Sequence, residues 1–334
     1  MRTLTLGQAP GIVLEVLDLG ATTHALWVTG GDGVRRNVLL GHATAQERLD
    51  STHYVGATVG RYANRIRAGR FTLDGTTHQV SAQDRGNSLH GGAEGFDRRA
   101  WEVVDATEDA ATLRLVSPDG DQGFPGEVTA EVTYTVTADS VRIELSATTD
   151  APTPVNLTNH AYLDLAGEGS GQALDQLLQV PAATFLAVDA TGIPLEGPPV
   201  DVTGTPLDLR EPTVLADAAR TDHPQVRVVQ GIDHCYVVNG GGLRRVATLE
   251  SPSTGTRLEL HSDQPGLQVY TGNVLDGTLR GTSGRLYRQG DGVALEPQLL
   301  PDTPNRPDFG DAVLRPGATY RCTIEWRLGV SSPA

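Results

Sequence analysis

Lysine is missing from this chain: all 26 of its basic residues are arginine. That removes any Schiff-base mechanism built on a lysine amine and any phosphate loop that needs one. Positive charge is scarce altogether, with 41 acidic residues and a formal net charge of −15. No basic patch offsets phosphates, so neither nucleic acid nor an anionic membrane is expected as a partner. Cysteine is down to Cys235 and Cys322, which form no CxxC pair. Cys322 shares a strand face with Tyr320, Ile324, Trp326 and Leu328, the setting of a buried free thiol. No run of about 18 apolar residues is present. Met1 to Val16 is broken by Gln8, Pro10, Gly11 and Glu15, where a signal peptide needs an apolar stretch. A soluble, cytoplasmic protein is expected.

What is abundant is alternation. Val128, Ala130, Val132, Tyr134 and Val136 alternate with Thr129, Glu131, Thr133, Thr135 and Thr137. After Ala138-Asp139-Ser140 the pattern resumes with Val141, Ile143, Leu145 and Ala147, which reads as an antiparallel hairpin with one buried face. Similar runs occur at 3–6, 12–17, 112–117, 245–250, 257–261 and 319–328. Helical patterning is confined to Thr44–Leu49, Gln172–Leu178 and Glu211–Arg220. No strand alternates with a full crossover helix, and no polar linker divides the chain. The expected fold is all-β: a large antiparallel β-sandwich with a few short helices, residues 1–334 forming a single domain.

Glu296 stands where an apolar strand runs into the proline-rich stretch Pro297 to Pro307. Proline stiffens such a loop, and a carboxylate at a strand exit on a firm scaffold is a common mounting for a general base. A solvated glutamate is the plain alternative. Five further polar clusters interrupt the strands: Gly60–Arg65, Asn87–Gly92 with His90, Asn156–Gly167 with His160, Gly231–Cys235 with Asp233, and Pro265–Asn273 with Gln268. Each alone reads as a turn, since His or Asp beside glycine usually is one. Together they supply the paired donors and acceptors that hold a polyhydroxylated ligand. Neither HExxH nor paired-Cys spacing marks a metal site, and no GxSxG elbow appears. Gly167–Gly171 lacks the sixth-position glycine of a nucleotide loop.

In order along the chain, GRYANR, NSLHGG with GFDRRAW, DGDQGFPG, NHAYLDLAG, GIDHCYVVN, LQVYTGN and LEPQLLPDTPNRP resemble the aldose 1-epimerase, or galactose mutarotase, family. The resemblance runs from about residue 56 to residue 328. It implies a mutarotase-like supersandwich, a sugar-binding cleft, no cofactor and no metal, and a free aldohexose as the small-molecule partner. It implies Glu296 as catalytic base and His160 as general acid, with Asn64, Arg65, His90, Tyr162, Asp233 and Gln268 on the sugar. The chain departs from the family at Leu163 and Asp164, which puts the packing behind His160 in question. Two other readings stay open here: a glycoside hydrolase using Glu296 with Asp233, and a non-catalytic sugar-binding module on the same scaffold.

Overall fold

Alternating sequence becomes alternating burial in the longest strands. The computed structural model describes residues 1–331. Val128–Val136 buries every second residue and pairs antiparallel with Ser140–Thr149, from Val128↔Thr149 to Val136↔Val141. Ser140–Thr149 pairs in turn with Tyr320–Val330, so the end of the chain closes against its middle. These strands belong to a nine-stranded sheet that runs on through Thr256–Ser262 and Arg244–Ser251. A six-stranded sheet contains Tyr162–Leu163, Val293–Gln298, Gly266–Tyr270, Asp233–Val237, Thr184–Phe185 and Val200–Asp201, in that order. The N-terminal strands Thr3–Leu6, Val13–Leu17, Thr22–Thr29 and Arg35–Asn37 form a third sheet of four.

One apolar cluster joins the sheets. It holds Leu14 and Val28 of the N-terminal sheet, Val132, Ile143 and Trp326 of the nine-stranded one, and Tyr236, Leu267, Val269, Val293 and Leu295 of the six-stranded one. Inner faces of stacked sheets pack in this way. Because side chains alternate along a strand, the residues between those of the six-stranded sheet turn to its other face. That face is also buried, and it carries the polar groups described below. Tyr134 ties the layers by a hydrogen bond rather than by contact alone. Its hydroxyl donates to the Ala21 carbonyl and lies 3.1 Å from Thr58 Oγ1.

Local expectation and structure part at four places. Gln172–Leu178 is not a helix: a single 3-10 turn, Ala173–Asp175, leads directly into the strand Leu177–Gln179. Glu211–Arg220 shrinks to Leu215–Ala219, because Thr213 and Val214 pair with Leu178 and Leu177 at the sheet edge. A helix at Pro224–Val229 was not foreseen, although His223 caps its start and Pro224 opens it. Glu296 lies within the strand Val293–Gln298 and not at its exit. Pro297 is tolerated because it is paired on one side only, with Leu267, while the strand on the other side pairs only with Val293 and Ala294 and leaves Pro297 beyond it.

Tyr134→Phe removes the hydroxyl and leaves the buried Ala21 carbonyl with the Thr58 hydroxyl as its one remaining side-chain donor. The expected loss is about 1–2 kcal/mol of unfolding free energy, read from urea denaturation. An unchanged midpoint would show that the bond contributes nothing to joining the layers.

Candidate active site

Strand register assembles the floor of the site. Gln268 pairs with Glu296 on one side and Cys235 on the other. Two residues along, Asp233 pairs with Tyr270, Tyr270 with Ala294, and Ala294 with Tyr162. Directly paired residues project to the same face, so one buried face presents Cys235, Gln268 and Glu296 in one row. Asp233, Tyr270, Ala294 and Tyr162 form the next. A cleft of about 760 Å³ opens above, and all eight residues expected on a ligand line it.

Loops complete the walls. His160 follows the short strand Thr158–Asn159 and is pinned at both backbone ends, its N–H to Ala57 and its carbonyl to Gly56. Its Nε2 faces Glu296 Oε1 at 3.6 Å, too long for a direct hydrogen bond. Asn64 and His90 both have left-handed backbones, φ 63° and 50°. Such φ values are uncommon outside glycine and cluster at functional sites. Here they let the two loops meet: His90 N–H donates to the Asn64 carbonyl, and Asn64 N–H donates to His90 Nδ1 at 3.2 Å. Arg65 donates from Nε to Asp84 at 2.8 Å, and its Nη1 lies 3.9 Å from Asp233. Gln268 Nε2 donates to Asp233 Oδ1 at 2.6 Å, leaving Gln268 Oε1 buried without a partner.

Burial dominates the electrostatics. Glu296 is 2 % exposed, its Oε2 has no partner, and burial raises its pKa well above the usual carboxylate value. Asp233 pushes in the same direction and Arg65 opposes. Burial lowers His160 to about 4. His90 also falls well below an ordinary imidazole, first by burial and then through His160 and Arg65. A carboxyl pushed up beside an imidazole pushed down favours one proton shared by the two.

His90, His160 and Glu296 offer three potential metal-ligand atoms within 4.8 Å of one another. The tautomer of His90 works against an ion. Since its Nδ1 accepts from Asn64, the neutral ring carries its proton on Nε2 and presents a donor to the cleft.

Beside the expected Tyr162, two aromatic wall residues, Tyr54 and Tyr270, were not among the expected contacts. Tyr54 packs 4.6 Å from His90 and 5.9 Å from His160, and Tyr270 lies 6.2 Å from His160, ring to ring. Tyr270 stood in a quoted motif, whereas no periodic signal surrounds Tyr54. Leu163 and Asp164, where the chain departs from the family, make their contacts away from the histidine ring. Leu163 joins the main core, and Asp164 accepts from Ala166 N–H, Ser170 and Gln176. Arg61 of the first cluster is structural: it donates to the carbonyls of Ser117, Pro118, Pro125 and Gly126.

The aldose 1-epimerase family profile matches residues 2–327. Aldose 1-epimerase of Escherichia coli (strain K12) is 40% identical over 333 residues, covering 98% of this chain and 95% of its own length. Galactose mutarotase of Rattus norvegicus is 39% identical over 319 residues, covering 95% and 91%. A solved GalM/aldose epimerase homologue from C. elegans superposes with a TM-score of 0.92 over 99% of both chains, at 28% identity. Galactose 1-epimerase from Lactobacillus acidophilus NCFM gives 0.87 at 30% identity, covering 99% and 95%.

His160 is expected to stay neutral across the neutral range and to protonate near pH 4, followed through its ring resonances by NMR. Between pH 6.5 and 4 the unfolded chain then holds a proton on this ring that the folded chain does not. Stability therefore falls as pH falls through that window, and His160→Asn should remove this share of the loss. A ring titrating at its ordinary 6.5 would contradict the assignment.

Proposed function

The chain belongs to the aldose 1-epimerase family and is an isomerase, and from that premise we propose that it interconverts the α and β anomers of free aldoses such as glucose and galactose. Glu296 is the base and His160 the acid. The observation that carries these roles is the buried, unbonded approach of His160 Nε2 to Glu296 Oε1 at 3.6 Å on a cleft floor rich in sugar-sized hydrogen-bonding groups.

Glu296 takes the proton of the anomeric hydroxyl while His160 gives one to the ring oxygen. The C1–O5 bond breaks and the anomeric oxygen becomes the aldehyde oxygen. Rotation about C1–C2 presents the other carbonyl face, and closure returns both protons by the reverse path. In the free cleft the one proton of the pair rests on Glu296; it passes to His160 when the closed sugar binds, and ring opening then takes the pair from carboxylate and imidazolium to carboxylic acid and imidazole. The pair holds one proton and no net charge at either stage. A desolvated cleft penalises a change in net charge far more than a proton moving within a neutral set. The raised Glu296 and lowered His160 favour the uncharged arrangement, which is the one that faces the open-chain sugar.

Arg65, held by Asp84 and Asp233, and the Nε2–H of His90 donate to sugar oxygens. Asn64 orients His90 through its backbone and Arg65 through its side chain, Oδ1 accepting the Arg65 N–H at 2.8 Å. Asp233 and Gln268 take other hydroxyls, and Tyr54, Tyr162 and Tyr270 give the apolar face of the ring a surface. Residues 1–334 work as one domain, a reading supported by a buried cluster that runs from Leu4 to Trp326. Both cysteines are buried free thiols, which suits the reducing cytoplasm. No helix among the described residues is long and apolar enough to cross a membrane.

Polarimetry on fresh α-galactose or α-glucose tests the activity. Glu296→Gln and His160→Asn should each lower kcat by about 10²–10⁴-fold while the protein stays folded. The double variant should lose much less than the product of the two, because each step needs both groups. A folded Glu296→Gln protein with near-wild-type turnover would end this assignment, and release of reducing sugar from a glycoside would favour a hydrolase.

A further inference from the structure

One glycine outside the cleft touches a group that works inside it. A Cβ at position 192 would lie 2.7 Å from Arg65 Cζ, 2.8 Å from Nη1 and 2.9 Å from Nε. The central carbon is the nearest of the three, so the approach is onto the flat face of the guanidinium. Arg65 lines the cleft, whereas Gly192 is buried and does not. Gly192 therefore backs the arginine from the protein side. Its φ of 80° suits glycine for reasons of the turn alone. The missing room for a Cβ is a separate demand, and Arg65 makes it.

Of the two partners the turn is the less yielding. Asp189 Oδ1 accepts from Thr191 N–H at 2.8 Å, from Thr191 Oγ1 at 2.7 Å and from Ile193 N–H at 3.1 Å. Gly192 N–H donates to the Asp189 carbonyl at 3.0 Å, and Arg85 Nη1 to the Ala190 carbonyl at 3.0 Å. At the base of the turn, Val188 N–H donates to Gln225 Oε1 at 2.8 Å, and Gln225 Nε2 donates to the Val188 carbonyl at 3.1 Å. Gln225 Oε1 also lies 3.1 Å from His234 Nε2, and His234 Nδ1 accepts the Asp233 N–H at 3.2 Å. The turn behind Arg65 is thus tied to the backbone of Asp233, whose carboxylate lies 3.9 Å from the same guanidinium. Against a crowding Cβ, Arg65 has only its side-chain torsions and its bond to Asp84.

We propose that Gly192 is a positioning residue, whose bare backbone sets how far Arg65 stands back from the sugar. Three contacts fix the guanidinium: Asp84 at Nε, Asp233 beside Nη1, and Gly192 against the face. Carbon atoms in contact rest about 3.5 Å apart or more, so a Cβ here would drive the plane roughly 1 Å towards the cleft. A displacement of that size costs about 10²-fold where a donor must meet a reacting substrate. The assignment rests on the anomer-exchange reading above.

The test is a double-variant cycle, read by polarimetry and by galactose affinity from titration calorimetry, with folded fraction recorded throughout. Gly192→Ala adds the Cβ and also strains the turn. Gly192→Asn adds the same Cβ on a residue that tolerates a left-handed backbone. Both should stay folded, weaken galactose binding and lower kcat/KM by about ten- to hundredfold. Beside Arg65→Ala neither should cost more than about threefold, because the group it displaces is gone. Equal losses with and without Arg65, a loss confined to Gly192→Ala, or unfolding of both variants would assign the glycine to the turn and overturn the proposal. Unchanged kinetics for both would overturn it as well. A wild-type chain that binds galactose without exchanging its anomers would instead overturn the anomer-exchange reading. The same cycle on affinity would then decide Gly192, a loss that vanishes beside Arg65→Ala supporting it and an equal loss ending it. A wild-type chain that binds no aldose would remove both.

Discussion

Glu296 is almost fully buried on the floor of the cleft, and one of its oxygens has no partner at all. An isolated charge there would cost several kcal/mol, so the carboxyl keeps its proton unless something beside it takes the proton instead. His160, 3.6 Å away and equally reluctant to be charged, is placed to do so. Each group makes the other usable. The rest of the cleft maintains this balance. Arg65 tempers the shift on Glu296 and Asp233 deepens it. Arg65 is itself kept charged because Asp233 and Asp84 outweigh its burial.

Holding two reluctant groups near each other requires a scaffold that cannot relax around them. Glu296 gets that from its ladder, with Gln268 directly opposite and Leu295 locked in the main core. His160 gets it from backbone bonds to Ala57 and Gly56 on either side of its side chain. Tyr54, Asn64 and His90 all adopt left-handed backbones along the cleft. Conformations of this kind cost about 1–3 kcal/mol each where non-glycine residues hold them. The neighbouring apolar clusters, such as Ala57, Val59 and Ala63, offset that cost.

Much of the scaffold was legible in the sequence, and the reason is solvent. Val128–Val136 and Ser140–Thr149 have one face only partly buried, so their alternation is written in residue type. Gly266–Tyr270 and Val293–Gln298 are buried on both faces. Their polar residues look like interruptions when they are in fact the second face, which is why Glu296 read as a strand end. Every expected ligand-contact residue reached the cleft, since the ordered motifs carried them. The register that sets Gln268 against Glu296 and Tyr162 against Ala294 was not readable, because pairing between distant strands leaves no local trace. Tyr54 escaped for the same reason: its ring meets His90 and His160 only through folding. Gln172–Leu178 failed as a helix because sheet pairing with Arg244–Ser251 outweighed local preference.

The central claim is that Glu296 and His160 exchange protons with a sugar whose C1–O5 bond opens while its anomeric oxygen stays on C1. Anomer exchange run in ¹⁸O-labelled water tests this directly, with the label on C1 followed by mass spectrometry against turnover. The account predicts many anomer interconversions with no label entering C1 beyond the uncatalysed background. Label entering in step with turnover would mean that Glu296 directs water to C1, and the ring-opening account would be wrong.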